Sequence, residues 1–268
     1  FILLLLASYE QKHNWETTQK AYPIPVAPRR LSSFINALPF QLTDDQKQSA
    51  KEILDDLAKA FPMNRLLEGD VGSGKTVVAA IAMYSVFRCG YQSVLMAPTQ
   101  ILAEQHYTTL TNLFSPLGVR VGLVVSSSGL TRGSSPKKTL DSRVRGNDKN
   151  EKFNILVGTH ALLSESVHFI NAALVIIDEQ QRFGVNQRML LRAKGKQTTT
   201  PHLLTMTATP IPRTVALTVY GNLNLSVLNQ MPIGRKRVKT WVVPKEKRKS
   251  AYAWIDTQLK ETRGQAFI

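Results

Sequence analysis

Short apolar runs alternate with longer helical stretches along most of the chain, and that order predicts a parallel sheet. Residues 65–67, 93–97, 121–125, 154–157, 174–177 and 203–206 read as strands. The strongest of them are continuously apolar, as strands are when helices cover both faces of their sheet. Between them, residues 77–87 are apolar enough for a buried helix, and residues 101–114 give another. A further helix opens at Thr43, which stands three residues before Gln46 in the spacing of a capping box. Its buried face is predicted from Ala50, Ile53, Leu54, Leu57 and Ala58, which recur at helical intervals. The whole is an α/β doubly wound pattern.

Two segments depart from it. Residues 1–34 read as a helix followed by an extended linker carrying Pro23, Pro25 and Pro28, then Arg29 and Arg30. Residues 126–152 are rich in Ser, Gly and charge, lack sustained periodicity and offer little to bury. They read as a flexible insertion between two strands. The abrupt change in composition motivates the hypothesis that it was acquired as a translated mobile repeat. The opening Phe1-Ile2-Leu3-Leu4-Leu5-Leu6-Ala7 is too short to span a bilayer and has no charged leader or small-residue cleavage site. It resembles the middle of a helix in a chain without a starting Met, which suggests a fragment that works without a membrane.

With 43% apolar residues, a chain of 268 residues can bury one large core and carry pieces of other domains. Its lone cysteine, Cys89, excludes an internal disulfide and an all-cysteine metal cluster, and points to a reducing cytoplasm. The net charge of +15 is concentrated in residues 126–152, with seven basic and three acidic side chains, and 234–268, with ten and three. Basic runs of this kind are usually solvated faces, so charge alone argues poorly for a nucleic-acid partner.

The chemistry lies elsewhere. Residues 69–76 read Gly-Asp-Val-Gly-Ser-Gly-Lys-Thr, a complete phosphate loop. Gly69, Gly72, Ser73 and Gly74 would turn backbone amides onto an anion, Lys75 would reach the β/γ-phosphates, and Thr76 would bind Mg²⁺. A plain glycine turn is the alternative, disfavoured by a strand before the loop and a helix after it. The apolar run ending Asp178-Glu179 has the form of a strand whose terminal carboxylate meets Mg²⁺, with Glu179 polarising the attacking water. Thr207, Thr209 and Arg213 follow another strand and would link this pocket to a nucleic-acid site, or else form a Pro-terminated turn. Pro98, Thr99 and Gln100, with Gly158, Thr159 and His160, also stand at strand ends, where hydroxyls and amides hold phosphates without reading bases. A lone histidine such as His160 is more often structural.

These segments, in this order, resemble superfamily 2 DNA helicases. The runs Leu38 to Thr43 (LPFQLT), Gly69 to Thr76, Met96 to His106 (MAPTQILAEQH), Gly158 to Leu162 (GTHAL), Asp178 to Arg188 (DEQQRFGVNQR) and Thr205 to Thr214 (TMTATPIPRT) carry the likeness. Their wording is that of the RecG-type helicases, with the transcription-repair coupling translocases as the nearest alternative. The resemblance implies a RecA-like ATP-binding lobe over residues 35–235 and the start of a second lobe over 236–268. It further implies ATP and Mg²⁺ as cofactors, branched or forked DNA as partner, and remodelling of forks and junctions in recombination and repair as the parent's function. Gln46 would read adenine; Lys75, Thr76, Asp178 and Glu179 would serve ATP and Mg²⁺; Gln181, Thr207, Thr209 and Arg213 would couple ATP to DNA.

The chain also departs from that family. Gln181 stands where the family box carries histidine, and Asn222 and Asn224 stand where acidic residues are expected. The family's wedge domain would precede Phe1, and most of the second lobe, with its arginine finger, would follow Ile268. The isolated chain is therefore expected to hydrolyse ATP poorly. A non-catalytic nucleotide- or DNA-binding remnant of a split gene is the competing expectation.

Overall fold

The computed structural model describes residues 10, 13, 16–126, 142–145, 153–164, 167, 169–179, 199–209, 223–232, 240–262 and 264–266. Most of the helix read at the start of the chain lies outside the described residues, although residues 10, 13 and 16–18 are helical, and most of the 126–152 segment lies outside them too. Two compact units are present, Phe1–Pro232 and Ile233–Ile268.

Among the described residues, the first unit is built on a sheet of eight strands. Its parallel strands are β1 (Asn64–Gly69), β2 (Gln92–Met96), β3 (Val121–Ser126), β5 (Ile155–Gly158), β6 (Ala172–Asp178), β7 (His202–Thr207) and β8 (Asn224–Leu228). The remaining strand, β4 (Ser142–Arg145), runs antiparallel to β3. The order across the sheet is β4-β3-β5-β2-β6-β7-β1-β8. All six runs predicted from apolarity are strands. Every residue of β2, β6 and β7 is buried, which is why their sequences show no alternation.

The other two strands were not predicted. Residues 126–152 were expected to lack regular structure, yet Ser142–Arg145 pairs with β3. An edge strand needs only the free backbone groups of its neighbour, and an apolar pattern is not required. In β8 the usual polarity is inverted: Ser226 is buried while Leu225 and Val227 are only half-buried. The cause is Arg65 on the neighbouring β1. Its guanidinium pairs with Asp56 (2.7 Å) and Glu52 (3.0 Å) and donates to the Ser226 hydroxyl (2.7 Å). Asn224 joins this network by donating to Asp56 Oδ2 at 3.2 Å. An aspartate in its place would set two carboxylates against each other.

One face of the sheet is covered by α1 (Pro28–Asn36), α2 (Asp44–Leu57), α3 (Lys75–Arg88) and α4 (Gln100–Phe114). Pro28, grouped with the linker prolines in the sequence reading, instead opens α1 at a position where its missing N–H costs nothing. Phe34 of α1 stacks on Tyr84 and Phe114, with ring centroids 5.2 Å apart in each case. The predicted capping box at Thr43 and Gln46 is present on α2, with Ala50, Ile53 and Leu57 buried; Leu54 is half-buried and Ala58 exposed. Residues Val77 to Val86 of α3 are buried without a break, so this helix is enclosed on every side. On the sheet's other face, Val94, Met96, Val124, Leu156, Val175 and Ile177 form a second cluster with Ala161 and Leu162.

The second unit contains α5 (Arg248–Thr262), preceded by a 3₁₀ turn at Lys245–Lys247. No residue of α5 is buried, and Trp241, Val242 and Trp254 are exposed. No helix among the described residues is long and apolar enough to cross a membrane.

Candidate nucleotide-binding site

Parallel strands bring their carboxyl ends to one edge of the sheet, and the predicted site residues that are described gather there. Leu67 pairs with Met206, and Met206 with Asp178, so the ends of β1, β7 and β6 stand level. The loop after β1 is tightly determined. Gly72 and Gly74 take positive φ, 79° and 92°. A Cβ on Gly74 would lie 2.2 Å from Gln46 Nε2, so any side chain there would both strain the backbone and strike the glutamine. Ser73 N donates to Asp70 O at 3.1 Å, and the Asp70 carboxylate accepts from Val71 N at 2.7 Å.

Gln46 is 1% exposed, and both ends of its amide are engaged. Oε1 accepts from Thr43 N at 3.0 Å, and Nε2 donates to Ser73 O at 2.8 Å. The residue thus bolts the start of α2 to the middle of the loop. Lys75 opens α3 and turns its ammonium back onto the loop, donating to Gly69 O (2.6 Å) and Asp70 O (3.1 Å). Burial pushes its pKa below the usual lysine value, against the opposing pull of the Asp178, Glu179 and Asp70 carboxylates. Thr76 follows, half-buried in the first turn of α3.

Asp178 ends β6, buried, with Oδ2 2.7 Å from His106 Nε2 on α4. Glu179 next to it has φ 53°, a left-handed conformation that is strained for a side-chain-bearing residue and concentrates at working sites. Thr207 ends β7 fully buried; its Oγ1 accepts from Thr209 N at 3.1 Å and lies 2.9 Å from Thr209 Oγ1, closing a hydroxyl turn. Gln181 and Arg213 lie outside the described residues. Among the described residues no group of three or more His, Cys, Asp or Glu side chains converges on a point.

Further along the edge, Ala97 N donates to Gly158 O at 2.8 Å, bringing the loops after β2 and β5 side by side. Thr99 caps α4, accepting from Leu102 N at 3.3 Å, while Gln100 is exposed and donates to Glu104. Pro98 is half-buried beside them. Thr159 Oγ1 accepts from Ala161 N at 3.5 Å, and His160 is exposed at the head of a 3₁₀ turn.

His106, at the end of the Met96–His106 run, was not among the predicted site residues. The signal was present: Ala103, His106 and Leu110 share one helical face, and its two apolar members are buried. The exchange between Gln230 and the head of α2 was likewise not predicted. Gln230 Oε1 accepts from Asp44 N (3.1 Å), while Asp45 Oδ2 accepts from Asn229 N (2.7 Å) and Gln230 N (2.8 Å).

Comparison with known proteins finds helicases. The chain is 48% identical over 238 residues to the ATP-dependent DNA helicase RecG of Bacillus subtilis (strain 168), covering 89% of this chain and 33% of the relative. It is 44% identical over 246 residues to that of Thermotoga maritima, covering 92% and 30%. The chain thus spans about a third of the length of these curated relatives. A solved structure of RecG bound to a three-way DNA junction superposes with a TM-score of 0.75 and 34% identity, over 97% of this chain and 33% of that one. The DEAD-box helicase Mss116, solved with single-stranded RNA and UDP-BeF, shares the fold at 16% identity and a TM-score of 0.61, over 91% of this chain and 54% of that one. The family model for DEAD/DEAH box helicases, whose members use ATP, matches residues 43–218, two-thirds of the chain; the chain belongs to that family.

Proposed function

We propose that this chain is the ATP-binding lobe of a RecG-type helicase or translocase that acts on branched DNA. The observation carrying this reading is the phosphate loop and the Asp178-Glu179 strand end standing level at one sheet edge, with Lys75 folded back onto the loop. The likeness to RecG over nearly the whole chain supports the choice among helicases.

The residues present fit a magnesium nucleotide. The Gly74 turn leaves no room for a side chain, and the loop ends in a lysine at the head of a buried helix. A single strand-end carboxylate and the Thr76 hydroxyl suit Mg²⁺, which takes few protein ligands and completes its shell with water and phosphate oxygens. When bound, MgATP supplies the phosphoanhydride whose cleavage drives the cycle. Lys75 would exchange the Gly69 and Asp70 carbonyls for phosphate oxygens, and Thr76 with Asp178 would hold the metal. Glu179 would orient water and accept its proton. Gln46 would position the loop and meet adenine only through what its two bonds leave free. The turn at Thr207 and Thr209, with Gln181 and Arg213, would couple this pocket to DNA lying over Pro98, Thr99, Gln100, Gly158, Thr159 and His160. Rapid turnover would require a second lobe, as expected for a chain spanning a third of its relatives.

Calorimetric titration of the purified chain tests this directly. MgADP is expected to bind, and Lys75→Ala to weaken it by roughly tenfold or more, since hydrogen bonds to charged groups contribute about 1.5–3 kcal/mol. A folded wild-type chain that takes up no magnesium nucleotide would contradict the proposal.

A further inference from the structure

We propose that His106 is a positioning residue for the divalent cation, holding the Asp178 carboxylate from α4. This rests on the reading above, in which Asp178 binds the metal of a nucleotide. The imidazole Nε2 and the carboxylate Oδ2 are 2.7 Å apart, and their side chains are only 12% and 13% exposed. Opposite an ionised carboxylate, Nε2 carries the hydrogen and donates it. That is a short, charge-assisted bond in a largely dry setting.

Asp178 is the last residue of β6, where its backbone is held by the ladder with β7 but its side chain still has two rotatable bonds. Fixing Oδ2 fixes the plane of the carboxylate and leaves Oδ1 to face a cation. Partners of this kind orient ligating groups before the metal arrives, and their loss typically costs 10–100-fold in metal affinity. His106 is well suited to the task because it rides on a fifteen-residue helix anchored by Ala103, Leu110 and Phe114 in the core. The donor therefore comes from a rigid element that belongs to neither the phosphate loop nor the β6 strand. A purely structural pair would stabilise the fold without favouring the metal, and the two roles separate experimentally.

The experiment is calorimetric titration of the full chain with ADP, once with Mg²⁺ and once with EDTA, alongside thermal melts. His106→Leu keeps apolar bulk without the donor, and His106→Gln restores a donor of similar reach. His106→Leu should lose about tenfold or more of the tightening that Mg²⁺ confers, with affinity in EDTA unchanged, and His106→Gln should recover most of it. Retention of the full magnesium effect by His106→Leu overturns the inference. So does an equal loss with and without metal, or a folded His106→Gln no better than His106→Leu. If the wild type binds no nucleotide at all, the functional reading falls and this inference falls with it.

Discussion

The two halves of the sheet's carboxyl edge are built on opposite plans. In the half formed by β1, β6 and β7, polar groups are tied to one another and at least partly buried: Gln46 to Ser73, Lys75 to Gly69, His106 to Asp178, Thr207 to Thr209. In the half formed by β2 and β5, Thr99 and Thr159 spend their hydroxyls on capping their own helices, while Gln100 and His160 stand exposed. The difference matches the ligands we propose. A compact, highly charged phosphate rewards groups ordered in advance, because ordering them on binding subtracts from affinity. A long polyanion is held by many weak contacts that fix register, so accessible amides and hydroxyls suffice.

If the first half owes its order to what lies beneath it, the largest effect comes from removing Arg65. Its guanidinium joins Asp56 and Glu52 of α2 to Ser226 of β8, so it holds the helix that carries Gln46. Burial alone would raise the Asp56 carboxyl, but its bond to Lys59 and then the charge and bond of Arg65 hold it below its ordinary value. Arg65→Met takes one of its ionic partners from the buried Asp56, which keeps Lys59 and Asn224, and the ion pair from the half-exposed Glu52, and should cost about 3 kcal/mol in urea unfolding. Loss of MgADP affinity at temperatures where the variant remains folded would tie the network to the loop. Unchanged affinity would show that the loop is ordered without it.

Legibility in the sequence followed the same division. β2, β6 and β7 could be read because they are buried on both faces, and the capping box because four consecutive residues define it. The phosphate loop and Asp178-Glu179 were equally local. What could not be read depends on partners far along the chain. His106 meets Asp178 across 72 positions, and Gln230 meets Asp44 across 186. β8 was hidden because a buried serine answers an arginine on another strand, and α1 because three prolines in six residues look like a linker until one becomes a helix start.

A smaller effect follows from His202, which ties β7 to the chain ahead of α1. It is fully buried; Nδ1 accepts from Met63 N at 3.0 Å and Nε2 donates to Tyr22 O at 2.8 Å. Burial pushes its pKa below the ordinary 6.5, with the Tyr22 carbonyl and then Asp56 pulling the other way. Below pH 6.5 the unfolded chain therefore binds the proton more readily than the folded one. The stabilisation is complete above that pH and is lost as the pH falls toward the depressed value. Protonation forfeits the bond to Met63, about 1–3 kcal/mol. Stability measured between pH 7 and 5 should fall more steeply for wild type than for His202→Gln, which keeps a donor and an acceptor but does not titrate. Parallel curves would remove His202 from the account.

The smallest effect on stability, and the sharpest separation of the halves, comes from Thr99. Its hydroxyl accepts from Leu102 N, which leaves its own hydrogen free to meet a phosphate oxygen. Thr99→Ala removes both and should cost about 1 kcal/mol of stability through the lost cap. Thr99→Asp restores the cap, since aspartate is as good a first residue for a helix, but turns a carboxylate toward the place where we expect the DNA backbone. MgADP affinity should be unchanged in both variants, because the nucleotide half keeps all its contacts. Affinity for a three-way DNA junction, measured by fluorescence anisotropy at fixed salt, should fall modestly in Thr99→Ala and further in Thr99→Asp, although the latter is the more stable protein. That inversion of stability and affinity is what a nucleic-acid face at the ends of β2 and β5 requires. Equal binding by Thr99→Asp and wild type would place the DNA elsewhere and leave those loops with only the helices they cap.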